Sequence, residues 1–226
     1  MLEGFVPFPP EFAAKYRAKG YWRDRALRDE FDDVFRAHAQ RVALIDGDRR
    51  FTYADVDRLS SNLALNLMDL GLKPLDRVVP TLPNVAEFVI LYFALQKIGC
   101  IPIAALVTHR FAEISQFTQL SQATCCVYPD RAGDFTFAPM IDRVQEANPC
   151  LHLRLVLGHA GPGEHDLRAL IETPAQRAAD DWRRIDIAPT DPCIFQLSGG
   201  TTGIPKGVVR DNGGHMVALK WTMKNL

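Results

Sequence analysis

The sequence predicts an α/β protein: a mainly parallel sheet with helices on both faces. Three observations carry this. Short apolar runs recur at residues 76–81, 100–106, 124–128, 152–157 and 192–197. Between them lie stretches whose apolar residues repeat at helical spacing, and strands that alternate with helices build parallel sheets covered on both sides. The chain has 226 residues, 47% of them hydrophobic and 23% charged, which is enough for a well-buried core.

Taken in order, residues 11–20 form a helix stopped by Gly20, and residues 29–39 a second helix with Phe31, Val34 and Phe35 on one face. With Tyr21 and Trp22 between them, residues 1–45 are expected to be an arm packed on the domain. Residues 41–46 and 50–53, joined by Gly47-Asp48, read as a β-hairpin. Thr52 caps the helix over 54–70, with Asp55 as capping-box partner and Gly71 as stop. Asn84 is the expected cap of an all-round apolar helix over 85–98. Helices are also expected over 111–122, 137–147 and 167–172, a loop over 158–166, and a helix plus connector over 175–189. Residues 211–215 read as a loop before an apolar-periodic start at Met216.

Composition excludes several function classes. The net charge is −1, so no basic field draws nucleic acid or an anionic membrane. No run reaches roughly 18 apolar residues, so no membrane partner is expected. The N-terminus has neither the basic start nor the long apolar core of a signal peptide. Five cysteines (100, 125, 126, 150, 193) form no CxxC, and most sit in apolar runs. They read as buried free thiols of a reducing compartment, and the expected location is cytoplasmic. The six histidines show no metal-ligand spacing, and no metal ligand is expected among them. His109 and the Cys125-Cys126 pair read as structural.

The densest chemical signal is Phe195-Gln-Leu-Ser-Gly-Gly-Thr-Thr-Gly-Ile-Pro-Lys-Gly207. Gly199, Gly200 and Gly203 let backbone N–H groups approach a ligand, because no Cβ stands in the way. Successive free N–H groups make an anion-binding concavity. Ser198, Thr201 and Thr202 add hydroxyl donors, and Lys206 adds a mobile positive charge suited to phosphate. The residues alone therefore specify a polyphosphate loop. A Walker loop, G-x4-G-K-S/T, does not fit: the second glycine is absent and no hydroxyl follows Lys206. GxGxxG fails as well, since Gly199 and Gly200 are adjacent.

The run from Leu197 to Gly207 resembles, position by position, the signature of the adenylate-forming enzymes: acyl-CoA synthetases, adenylation domains of peptide synthetases, and luciferases. Tyr16-Arg-Ala-Lys-Gly-Tyr-Trp22 is similar to the N-terminal signature of stand-alone aryl-acid AMP ligases that feed siderophore assembly. Residues 51–58, 82–88 and 109–115 are similar to segments of the same proteins, as is the Gly199-Gly200 pair. Thr108 departs from a usual proline, and Asp211-Asn-Gly-Gly-His215 departs from a usual Thr-His-Asn-Asp-Tyr.

The resemblance implies that residues 1–226 are the first part of the large N-terminal domain of an adenylate-forming enzyme. The aryl pocket, an acidic residue linked to magnesium, and a C-terminal lid domain with its catalytic lysine are then expected beyond Leu226. It implies ATP with Mg2+ as cofactors, an aryl acid (2,3-dihydroxybenzoate or salicylate) as substrate, and a phosphopantetheine carrier protein as acceptor. Ser198, Gly199, Gly200, Thr201, Thr202, Gly203 and Lys206 would bind the ATP phosphates, with Lys206 and Thr201 catalytic. His215 is a candidate substrate contact. The alternatives are an acyl-CoA synthetase and a non-catalytic remnant, and the 226-residue chain alone is expected to be inactive.

Overall fold

The structure, a computed structural model, describes residues 5–198 and 206–225. After helices α1 (Pro10–Ala18) and α2 (Leu27–Ala37), strands β1 (Val42–Asp46) and β2 (Arg49–Thr52) form the expected antiparallel hairpin. Helix α3 (Tyr53–Asp69) starts at a capping box: Asp55 N–H donates to Thr52 Oγ1 at 3.1 Å, and Thr52 N–H donates to the Asp55 carboxylate at 3.0 Å. The chain continues through β3 (Arg77–Pro80), α4 (Ala86–Lys97), β4 (Ile101–Pro102), α5 (Phe111–Ser121) and β5 (Cys125–Pro129). A small hairpin, β6 (Arg131–Ala132) and β7 (Phe135–Thr136), precedes α6 (Ala138–Ala147), β8 (Leu153–Leu157), β9 (His165–Asp166) and α7 (Leu167–Glu172). The last elements are β10 (Pro192–Ser198), β11 (Lys206–Asp211) and α8 (Asn212–Asn225).

The central sheet has the order β4-β3-β5-β8-β9, and every pair in it is parallel. Alternation along the strands divides the core into two layers. Val78, Cys125, Val127, Leu153 and Leu155 pack with Leu63 and Leu67 of α3, Ile90, Leu91, Ala94 and Leu95 of α4, and Leu167 and Ile171 of α7. Val79, Cys126, Tyr128 and Val156 pack on the other face with Ile114 and Phe117 of α5 and Met140, Ile141 and Val144 of α6. Both faces are therefore covered by helices, as the alternation of runs requires. Among the described residues no helix is long and apolar enough to cross a membrane.

Four local expectations are corrected. Asn84 does not cap α4. Val85 holds the cap position without a side-chain bond, and the acceptor comes from β1, where the Asp46 carboxylate takes the Ala86 N–H at 2.9 Å. The stretch 175–189 contains only a 3-10 turn, Asp181–Arg184. Side chains satisfy its backbone groups in place of a helical ladder: Asn62 Oδ1 accepts from Ala175 N–H, and Arg28 donates to the carbonyls of Trp182 and Ile185. Strand β10 is not an ordinary member of the parallel sheet. It pairs antiparallel with β11 and touches the sheet through one bridge, Ile103 with Phe195. Finally, α8 begins at Asn212, so 211–215 is a strand end and a helix start, not a loop.

Candidate functional site

Strands β10 and β11 present the predicted phosphate loop. Their register runs from Pro192 opposite Asp211 to Ser198 opposite Lys206. Ser198 and Lys206 thus face each other on the last rung, and partners on an antiparallel ladder sit roughly 5 Å apart between Cα atoms. The loop between them is closed at its base by the ladder. Gly199, Gly200, Thr201, Thr202 and Gly203 lie outside the described residues.

What fixes the hairpin is the start of α8. Asp211 is buried, and its Oδ1 accepts the Gly214 N–H at 2.7 Å, so it serves as the cap of that helix. Burial raises the Asp211 pKa, and the Gly214 and His215 N–H groups oppose the rise. Asn212 Oδ1 accepts the Leu27 N–H at 3.1 Å, while its Nδ2 donates to the Asp191 carbonyl at 2.9 Å. Trp22, 3% exposed, lies against Gly213. A Cβ at that glycine would sit 2.3 Å from the indole Cε2, so only glycine fits there. The buried carboxylate of Glu30 ties Arg23 of the arm to Lys220 of α8. Leu27, Cys193 and Met216 complete a small apolar cluster that joins arm, β10 and α8.

A cleft of about 740 Å³ lies beside this junction, lined by Phe8, Tyr16 and Tyr21 of the arm and by Arg210, His215 and Trp221. His215 is half-buried, and its Nδ1 is buried without a hydrogen-bond partner. Burial, and then the Arg210 guanidinium, push its pKa down, so the ring is neutral at pH 7. His215 is therefore placed at a cavity wall, close in sequence to the hairpin.

The other candidates take structural places. His109 Nδ1 accepts the Leu106 N–H at 3.1 Å, and its ring meets Phe117 edge-on at 5.3 Å. Cys125 and Cys126 are buried in β5, and burial pushes the Cys126 thiol up to about 12, far from a reactive thiolate. Trp22 anchors the arm, whereas Tyr21 lines the cleft. Among the described residues no group of three His, Cys, Asp or Glu could hold a metal ion. Sequence reading missed Asp211, Asn212 and Gly213. The available signal was an Asp three residues before Gly214, the spacing of a side-chain cap, which the glycine pair made look like a turn.

Comparison with known proteins places this geometry. Residues 31–225 match the family described as AMP-binding enzyme. The chain is 41% identical over 212 residues to a salicylyl-CoA synthase / salicylate adenylyltransferase of a Streptomyces species, covering 92% of this chain and 38% of that protein. It is 38% identical over 217 residues to the salicyl-AMP ligase / salicyl-S-ArCP synthetase of Mycobacterium tuberculosis, covering 92% of this chain and 37% of that protein. Among solved structures it is similar to the apo structure of Mycobacterium smegmatis MbtA, with a TM-score of 0.83 and 33% identity, covering 95% of this chain and 39% of that one. The chain thus spans about two-fifths of the length of these relatives. With the match running through the hairpin and into α8, the protein belongs to the AMP-binding enzyme family.

Proposed function

We propose that the protein serves in ATP-dependent activation of an aryl carboxylic acid, 2,3-dihydroxybenzoate or salicylate. The acid attacks the α-phosphorus of ATP, giving an acyl-adenylate and pyrophosphate. The acyl group then passes to the pantetheine thiol of a carrier protein in siderophore assembly. The observation that carries this reading is the rung that sets Ser198 opposite Lys206 at the base of a loop of glycines and threonines. Residues 1–226 would be the first part of the adenylation domain, with 1–45 as an arm that steadies α8.

In this reading Ser198, Thr201 and Thr202 donate hydrogen bonds to the leaving pyrophosphate. Gly199, Gly200 and Gly203 bring backbone N–H groups close, and Lys206 offsets phosphate charge. Magnesium bound with the nucleotide would supply further neutralisation of phosphate charge beside Lys206. His215 fits a substrate contact because its ring is neutral and half-buried at a cavity wall. A second acceptor, coenzyme A, is supported by the name of the Streptomyces relative.

Carboxylate-dependent pyrophosphate exchange tests the reading. A chain extended to the relatives' length should exchange with salicylate or 2,3-dihydroxybenzoate, while 1–226 alone should not. Lys206→Ala and Thr201→Ala in the extended chain should each cost about 2–4 kcal/mol of transition-state stabilisation. Exchange only with aliphatic acids, or wild-type rates in both variants, would reject it. Thioester formation on a pantetheinylated carrier against that on coenzyme A separates the acceptors.

A further inference from the structure

The register of the β10–β11 hairpin changes once along its length. Pro192 lies opposite Asp211, but the next rung sets Ile194 opposite Arg210, and from there the pairing runs evenly to Ser198 opposite Lys206. Cys193 is therefore the extra residue of a β-bulge. The bulge decides which side chains meet at the loop. Side chains alternate along a strand, so a slip of one residue moves each of them to the other face. Continued without the bulge, the register of the first rung would set Lys206 opposite Leu197 in place of Ser198. The lysine and the serine would then project to opposite faces.

The bulge leaves a backbone carbonyl outside the ladder, and a side chain takes it. Gln96 of α4 donates from Nε2 to the Cys193 carbonyl at 2.9 Å, across 97 residues of chain. Gln96 is buried at the end of the apolar and aromatic run Phe88–Leu95. Without that donor the carbonyl of buried Cys193 would lose its partner, which is costly away from water. Packing does not hold the register by itself. Ile194, the next residue, borders an apolar cavity of about 210 Å³ shared with Pro80, Phe88, Tyr92 and Leu95. Among the described residues the strand's one ladder contact with the parallel sheet is the bridge of Ile103 with Phe195. A strand with room beside it can slip, whereas a directional bond to one carbonyl cannot follow the slip.

We propose that Gln96 is a positioning residue for the phosphate site: by holding the bulge at Cys193, it keeps Ser198 and Lys206 on one face of the hairpin. Its kinetic consequence rests on the adenylation reading above. Its structural consequence, the register, rests on the geometry alone.

The test uses Gln96→Met, which keeps the length of the side chain and removes the donor. In 1–226, cross-strand NOEs that pair Phe195 with Val209 and Gln196 with Val208 should weaken, and NOEs of the slipped register, Gln196 with Gly207, should appear. In the chain extended to the relatives' length, kcat/KM for ATP in pyrophosphate exchange should fall about 100-fold, the cost of misplaced binding groups, with KM for the aryl acid unchanged. A disulfide from Gln196→Cys and Val208→Cys, two exposed residues that face each other across the ladder, should restore the Gln96→Met enzyme when oxidised and not when reduced. Thr118→Val, which removes a buried side-chain bond within α5, should leave the ATP constants unchanged. Native NOEs in Gln96→Met, an equal loss in Thr118→Val, or a loss that the disulfide does not reverse would each overturn the proposal. Absence of exchange by the extended wild-type chain removes the adenylation reading, and the NOEs of 1–226 then decide the register by themselves.

Discussion

Strands β5 and β11 are both short and each carries consecutive apolar residues, Val208-Val209 in β11, yet Cys125–Pro129 are buried throughout whereas residues 207–210 are exposed throughout. The difference is in their neighbours. β5 lies between β3 and β8 and is covered by helices on both faces, so both its edges are paired and its side chains are packed. Among the described residues β11 is paired along one edge only, with β10. Apolar composition states what a strand prefers; the elements around it decide whether the preference is met.

Substitutions sharpen the contrast. Val127→Asp places an unpaired charge in the fully buried middle of β5. It should cost upward of about 4 kcal/mol and leave 1–226 unfolded or molten by near-UV circular dichroism. A native-like spectrum would mean that the parallel half does not hold the stability assigned to it.

Next comes the acid side of the same half. Glu87 accepts bonds from Arg49 of the hairpin and Arg168 of α7. Burial pushes its carboxyl up, but those two arginines outweigh it and hold the pKa at about 2, below the ordinary 4.5. A depressed carboxylate contributes above its unfolded value, so the contribution is full above pH 4.5 and is lost as pH falls towards 2. It is on the order of 3 kcal/mol. Urea midpoints between pH 6 and pH 3 should therefore fall more steeply for the wild type than for Glu87→Gln, and equal slopes would remove the linkage.

In the hairpin half, Gly213→Ala forces the Trp22 indole to move. The expected cost is about 1–3 kcal/mol, with a red shift of tryptophan emission as the ring gains solvent. The smallest effect belongs to Val209→Asp, within about 0.5 kcal/mol in thermal unfolding of 1–226. Should it destabilise as strongly as Val127→Asp, the two strands would not differ in the way their exposure indicates.

Periodicity made the parallel half legible from sequence. The Thr52–Asp55 box, the helix stop at Gly99 and the alternating core of β5 all follow local rules. What stayed hidden depends on residues far apart in the chain. Asp46 replaces Asn84 as the acceptor at α4, and nothing near residue 84 indicates it. The 175–189 stretch is held by Asn62 and Arg28, so its composition alone looked helical. The family was legible because the run of glycines, hydroxyls and a lysine over 198–206 carries its signature by type and spacing, and residues 31–225 match that family. The mounting of that run on a two-stranded hairpin was not, because Val208-Val209-Arg210 is too brief a run to distinguish from loop. Gly213 read as a turn because the indole that demands it lies in the arm.

The clasp between arm and α8 also fixes an order of events during synthesis. Glu30 meets Lys220 across a separation of 190 residues, and Leu27 meets Asn212 across 185. At translation speeds of about 5–20 residues per second, the arm leaves the ribosome roughly 10–40 s before its partners exist. The parallel sheet, whose strands follow one another closely in sequence, can assemble during that wait. The arm then acts as a late fastener, closing only after the β10–β11 hairpin and the first turns of α8 have emerged.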